Sequence, residues 1–385
     1  MKSVQIHWGI AALGFCLATG GASAAQAQTC NATWQVVPSP ALQSGGTLAG
    51  VTAIAADNVW AVGSRNTTNG LLRTLIERWN GSQWAIVPSP NPLNFSSDQD
   101  LLAGVAAVSA TDIWAVGSHI INGTQSQGLA LHWNGRRWSV VPTPSTTLGN
   151  ALVGITAIAT NNVWAVGTNG NATLVEHWDG SQWSIVPSRN VPGAEEQILK
   201  GVTAVAANDI WAVGSVEPQS GPTRTLTEHW DGSQWSIVPS PNPGALNNVL
   251  NGTAAIATNN VWAVGYGDGA PAFGTLTEQW NGSQWQVIPS ADASGQFNIL
   301  TAVNAPAADN IWTVGYTQNV GLNQTLSEHW DGSQWQVVPT PNVGTGNNQL
   351  LAVTSTGTNI WAVGFTGSGT SAQPLIALFC NGQSG

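Results

Sequence analysis

Charge is the scarcest property of this sequence. Only 7% of its 385 residues are charged, against about a quarter in ordinary globular chains. Acids outnumber bases by 19 to 9, which leaves a formal net charge of −10. A nucleic-acid partner would demand a basic face and is excluded, as is a polybasic membrane patch. Forty-four glycines and 20 prolines argue against a helical protein. Tyrosine and methionine are nearly missing, with two and one copies, yet there are 21 tryptophans. A disordered chain does not carry such an aromatic load. Gly-x-Ser-x-Gly, His-Glu-x-x-His, the P-loop and the dinucleotide fingerprint are all absent, so no catalytic residue, cofactor or metal is assigned. Asp98-Gln99-Asp100 is a lone hit and too little for a calcium site.

No long apolar run is available to cross a membrane. The run Ile10–Ala18 follows a basic start at Lys2 and precedes Ala25-Gln26-Ala27. It is about half the length that a bilayer needs. This layout predicts a secretory signal peptide over 1–27, cut after Ala27 or alternatively after Ala24. The mature chain, 28–385, would then be a secreted monomer without a membrane span. It would keep two of three cysteines, Cys30 and Cys380, an expected disulfide in an exported protein.

What is abundant is repetition. Asn-Val-Trp-Ala-Val-Gly at 58–63 recurs around Trp114, Trp164, Trp211, Trp262, Trp312 and Trp361. A second motif, Trp before Asn/Asp-Gly, occurs at Trp79, Trp133, Trp178, Trp230, Trp280 and Trp330. A third, Trp-x-Val/Ile-Val/Ile-Pro, starts at Trp34 and closes every later unit. Each unit reads as four strands, exemplified by Leu48–Ala56, Val59–Ser64, Thr74–Trp79 and Gln83–Pro88. Asn-Gly and Asp-Gly dipeptides such as Asn80-Gly81 supply the positive φ of a tight hairpin.

Seven such units predict an all-β, seven-bladed β-propeller with four antiparallel strands per blade. The chain opens on a lone fourth strand, Trp34–Pro38, and ends on the first three strands of a seventh unit, Leu350–Cys380. Together they complete one blade and close the ring. Aligning Phe379-Cys380 with Arg78-Trp79 puts Cys380 at a tryptophan position, and Cys30 falls just after it. Period and strand count resemble kelch propellers, although the kelch diglycine is missing. The order Trp-x-x-x-Pro, Val-Trp-x-Val, Trp-Asn-Gly-x-x-Trp is more similar to the tectonin repeats of secreted lectin-type propellers, which are shorter. Gly180-Ser181-Gln182-Trp183 resembles the end of a sialidase Asp-box, with Asp179 one position too close.

Among repeated polar residues, Glu176-His177, Glu228-His229 and Glu328-His329 stand out. Strand neighbours point to opposite faces, so the pair cannot chelate one ion. The glutamates are expected to be structural acceptors between blades, with a tryptophan N–H as one donor. Function should sit where the repeats differ, on the face that carries the links of variable length. The residue after Trp-Ala-Val-Gly is small in four units and becomes Tyr266, Tyr316 and Phe365 in the last three. With Phe273, Phe297 and Asp268 these form the candidate ligand-binding sector. An aromatic arc suits an extracellular glycan, the function favoured by loops rich in Asn, Gly, Ser and Thr and poor in charge. The alternatives are a protein-docking or adhesion scaffold, or a sialidase- or lyase-like enzyme that would use Arg65, Arg73, Arg189 and Arg224.

Overall fold

The computed structural model describes residues 32–92, 96–269, 272–291, 297–319 and 321–380. They form seven blades of four antiparallel strands arranged as a ring, a β-propeller. Blade 1 runs outward from the axis through Gly46–Ala55, Asn58–Asn66, Leu72–Trp79 and Trp84–Ile86. Blades 2 to 6 repeat this order over 99–141, 150–185, 194–237, 248–287 and 297–337. Blade 7 takes its inner three strands from Asn348–Thr356, Asn359–Thr366 and Gln373–Cys380, and its outer strand from Trp34–Val36.

The outer strands are shorter than the sequence predicts. Val87 still donates to Ile76 O at 2.9 Å, but Pro88 follows and has no N–H to continue the ladder. A three-residue edge ending in proline offers little to a foreign strand. The Asn-Gly turns also differ from two-residue hairpins, because Trp79 pairs directly with Trp84. Asn80 Oδ1 instead accepts from the Ser82 and Gln83 N–H groups, both at 2.9 Å, and only Gly81 takes positive φ, +94°. The ring closure is shifted by one residue from the expected alignment. Phe379, not Cys380, occupies the tryptophan position and pairs with Trp34. An aromatic ring is needed there, as the packing below makes clear. Cys30 lies outside the described residues.

Each second-strand tryptophan wedges between two aromatic rings of the following blade. Trp60 sits 5.0 Å from Trp133 and 5.7 Å from Trp138, and Trp211 sits 4.7 Å from Trp280 and 5.3 Å from Trp285. The last interface runs from Trp361 to Trp79 and Trp84 of blade 1, at 5.1 and 5.4 Å. Trp312 meets Phe379 at 4.5 Å and Trp34 at 5.8 Å, so the substituted ring keeps the triad. Edge-to-face geometry at these separations adds about 0.5–1.5 kcal/mol per pair to the burial of the rings.

The glycine of Trp-Ala-Val-Gly has a steric cause. A Cβ on Gly63 would stand 2.0 Å from Thr47 O of the inner strand, beside a bulge between Leu48 and Gly50. The same clash recurs at the corresponding glycine of every blade.

The Glu-His pairs are absorbed by this packing. Histidines 132, 177, 229 and 329 lie against second-strand tryptophans with ring centroids 4.3–4.4 Å apart. Each also bonds the Asp or Asn that opens its second strand, as in His229 Nε2 to Asp209 Oδ1 at 2.9 Å. The glutamates face the other way, and Glu77, Glu176, Glu228, Glu278 and Glu328 are all 0% exposed. For Glu77, Glu176 and Glu228 the donors are a hydroxyl, an amide and a backbone N–H rather than a tryptophan N–H. Ser39 Oγ donates to Glu77 at 2.9 Å, and the Arg189 N–H to Glu228 at 3.4 Å. Burial raises the carboxyl of Glu77 to about 7 and those of Glu176, Glu228 and Glu278 to about 8.

Two outcomes follow for stability. Trp211→Ala should cost about 3–5 kcal/mol in urea unfolding. The outer-strand change Ile185→Ala, at a side chain 44% exposed, should stay within about 0.5 kcal/mol. Because the raised carboxyls hold protons that the unfolded chain has already released, stability should fall as pH rises from about 4.5 through about 8. Thermal melts should therefore give a Tm several degrees lower at pH 8.5 than at pH 5. Glu278→Gln should match the parent at pH 5 and exceed it at pH 8.5; an unchanged pH profile would contradict the buried-proton account.

Candidate ligand site on the variable-loop face

The inner strands converge on the axis with Leu-x-Gly or Leu-x-Ala at each blade. At this waist a Cβ on Gly201 would meet Gly252 Cα of the next blade at 3.1 Å, so the strands approach backbone to backbone. The varying middle residue lines a central channel of about 250 Å³. It is Ala49, Ala103, Val153 and Leu351 on one arc, and Lys200, Asn251 and Thr301 on the other. Asn251 and Thr301 are anchored to the neighbouring blade, donating to Leu300 O and Leu350 O, each at 2.8 Å. Lys200 Nζ donates to Asn251 Oδ1 at 3.1 Å. Lys200 and Lys2 are the only lysines in the sequence. Burial lowers the Lys200 ammonium from its ordinary value, and nearby Glu196 opposes that shift.

Lys200 also forms part of a second cavity, about 280 Å³, where blades 4 and 5 meet the variable-loop face. Its wall includes Glu196, Ser215, Glu217, Val249 and Tyr266. Glu196 and Glu217 are exposed and stand directly opposite each other across two strands. Like charges in that register repel. Ser215 is 9% exposed, and its hydroxyl makes no hydrogen bond among the described residues. The cavity thus offers a cation toward the channel and two carboxylates at the rim.

Of the sequence-predicted sector, Tyr266 lines this cavity, and the remaining residues lie along blades 5 to 7 with mixed roles. Tyr266 and Tyr316 are half-buried near the ends of consecutive second strands. Burial pushes both phenols up, assisted by Asp268 at Tyr266 and by Tyr266 at Tyr316. Asp268 is only 3% exposed and faces inward. Its Oδ1 accepts the Leu246 and Asn247 N–H groups at 3.0 and 2.6 Å, and Oδ2 accepts Asn247 Nδ2 at 2.7 Å. It holds the link between blades 4 and 5. Phe273 and Phe297 pair through their backbones in a parallel bridge that joins blades 5 and 6. Phe365, half-buried, pairs with Gln349 and Pro374 in blade 7.

The four arginines do not converge. Arg65 and Arg73 face each other in blade 1, while Arg189 and Arg224 belong to the blade 3–4 link and to blade 4. Arg73 donates to two backbone carbonyls, Leu72 O and Asp98 O. Asp98 and Asp100, both buried, join an internal network with His119 and the Asn122 N–H. Sequence reasoning missed Lys200, Glu196, Glu217 and Ser215. Lys200 had a legible signal, a single charge in a column otherwise filled by Ala, Val, Asn, Thr and Leu. The two glutamates lie at the outer ends of the first two strands of blade 4, beyond the repeated motifs against which they could be compared.

No protein-family profile matches the chain, and no curated protein matches it in sequence. Among solved structures it is similar to "Crystal structure of RRP9 WD40 repeats", with TM-score 0.58 and 12% identity, covering 92% of this chain and 99% of that one. It is also similar to "Structure of U3-55K", with TM-score 0.56 and 11% identity, covering 90% and 98%. A third, "YCF48 bound to D1 peptide", has TM-score 0.56 and 14% identity over 90% and 97%. Identities this low establish the fold alone: the chain is a seven-bladed β-propeller with WD40-like structural neighbours.

Proposed function

We propose that the protein is a docking scaffold that holds a segment of a partner protein on its variable-loop face, over the cavity between blades 4 and 5. The observation that carries this reading is the mixed-charge cavity itself. The recurring glutamates are buried and the third-strand histidines bond within their own blades, whereas Lys200, Glu196 and Glu217 break the repeat on one side of the ring. Separated charges suit a peptide, whose backbone and side chains present both signs. A neutral glycan would bring no charge to the partly buried ammonium or to the two rim carboxylates, so the docking reading is favoured over glycan recognition. One similar solved structure, "YCF48 bound to D1 peptide", holds a peptide, in agreement with this use of the fold.

A screen of the full protein against a displayed peptide library and a glycan array tests the reading. Enrichment of peptides is expected, with no glycan retained. Capture should be lost in Thr223→Trp, which fills the cavity wall, and kept in Gln83→Arg on the opposite face. Glycan retention without peptide enrichment would reverse the assignment.

The scaffold is proposed to work outside the cell, after removal of residues 1–27 and with Cys30 joined to Cys380. In support, the Ala32 N–H donates to Cys380 O at 3.0 Å, two residues from Cys30. Exported protein should begin near Gln28 and show no reactive thiol until reductant is added. Two titratable thiols in the unreduced, unfolded protein would contradict the clasp.

A further inference from the structure

The docking reading leaves open what the partner segment carries, and the cavity is specific on that point. Lys200 sits where the cavity meets the channel, and its one described hydrogen bond, to Asn251, leaves ammonium donors for a ligand. The Ser215 hydroxyl, nine-tenths buried and without a described partner, lines the same space. An ammonium and a hydroxyl together form a donor set for a carboxylate. The rim is of opposite character. Glu196 and Glu217 face each other at a direct cross-strand position, a repulsion that a cation between them would relieve. Glu196 and Lys200 are four residues apart on one strand, about 13 Å at ~3.3 Å per residue. That span corresponds to about four residues of extended peptide.

Resting on the docking reading, we propose that this cavity selects a mixed-charge peptide. A carboxylate meets Lys200 and Ser215, and a lysine or arginine three to four residues away lies between Glu196 and Glu217. Tyr266, on the same wall, packs against the stem of the basic side chain. The carboxylate has two possible sources of identical chemistry, an Asp or Glu side chain or a free chain terminus.

Fluorescence anisotropy with labelled hexapeptides tests this on the full protein. The set contains an acid and a base at the stated spacing, with either charge neutralised in turn. It also contains a peptide whose only acid is its C-terminus, free or amidated. The mixed-charge peptide is expected to bind best, and loss on amidation would assign the terminal carboxylate. Lys200→Met should weaken it about tenfold or more and abolish the preference for the acid. Glu217→Gln, an exposed change that leaves the core untouched, should abolish the preference for the base. Circular dichroism and Tm verify that both variants are folded; if Lys200→Met is not, Ser215→Ala replaces it, with a smaller loss expected. Equal binding of mixed and neutral peptides, or binding unchanged in the variants, would overturn the charge selection and leave docking standing. Binding of no peptide would overturn both.

Discussion

The wedge of one indole between two aromatic rings of the next blade is the contact on which the rest of this molecule depends. A four-stranded blade cannot bury both of its faces alone, and the triad is how each blade covers its neighbour. Because each triad joins consecutive blades, the contact propagates around the ring and has to close. Blade 7 demonstrates the constraint. Its third strand ends in Phe379 where other blades carry tryptophan, and its outer strand comes from the other end of the chain, yet Trp312 still finds two rings. The tight inner circle follows from the same closure, with glycine or alanine wherever neighbouring backbones meet.

This architecture was legible because it is repetitive. Seven aligned copies reveal strand number, turn position and ring closure without recourse to any single residue's propensity. Local details that depend on hydrogen-bond geometry were less legible. The Asx acceptor at Asn80 converts an expected two-residue hairpin into a longer turn, and Pro88 shortens a strand that hydrophobicity alone would extend. The alignment at Cys380 failed by one residue because cysteine, the exceptional residue, was matched to tryptophan, when the packing required an aromatic ring.

The candidate site was only partly legible for a related reason. Departures from the repeat guided the reading, and the change from serine or threonine to Tyr266 and Tyr316 shares one residue, Tyr266, with the cavity proposed for docking. Asp268 shows the limit of that logic, since a carboxylate beside a tyrosine reads as a ligand group in sequence but ties down a link in the fold. Burial inverts the usual inference for charge as well. The five glutamates that recur are hidden, whereas Lys200, Glu196 and Glu217, proposed to meet a partner, occur once each. In the proposed reading, a symmetric frame leaves recognition to a few residues on one sector of one face.

Lys200 provides its own reporter for that claim. It is the sole lysine beyond residue 2, so protein labelled with ¹⁵N-lysine carries one side-chain ammonium signal from the propeller. Titrating in a mixed-charge peptide should shift that signal and raise its apparent pKa, because an added carboxylate stabilises the ammonium. The same peptide with its acid neutralised should leave it in place. A signal indifferent to both peptides, under conditions where the mixed-charge peptide binds, would place recognition elsewhere on the ring.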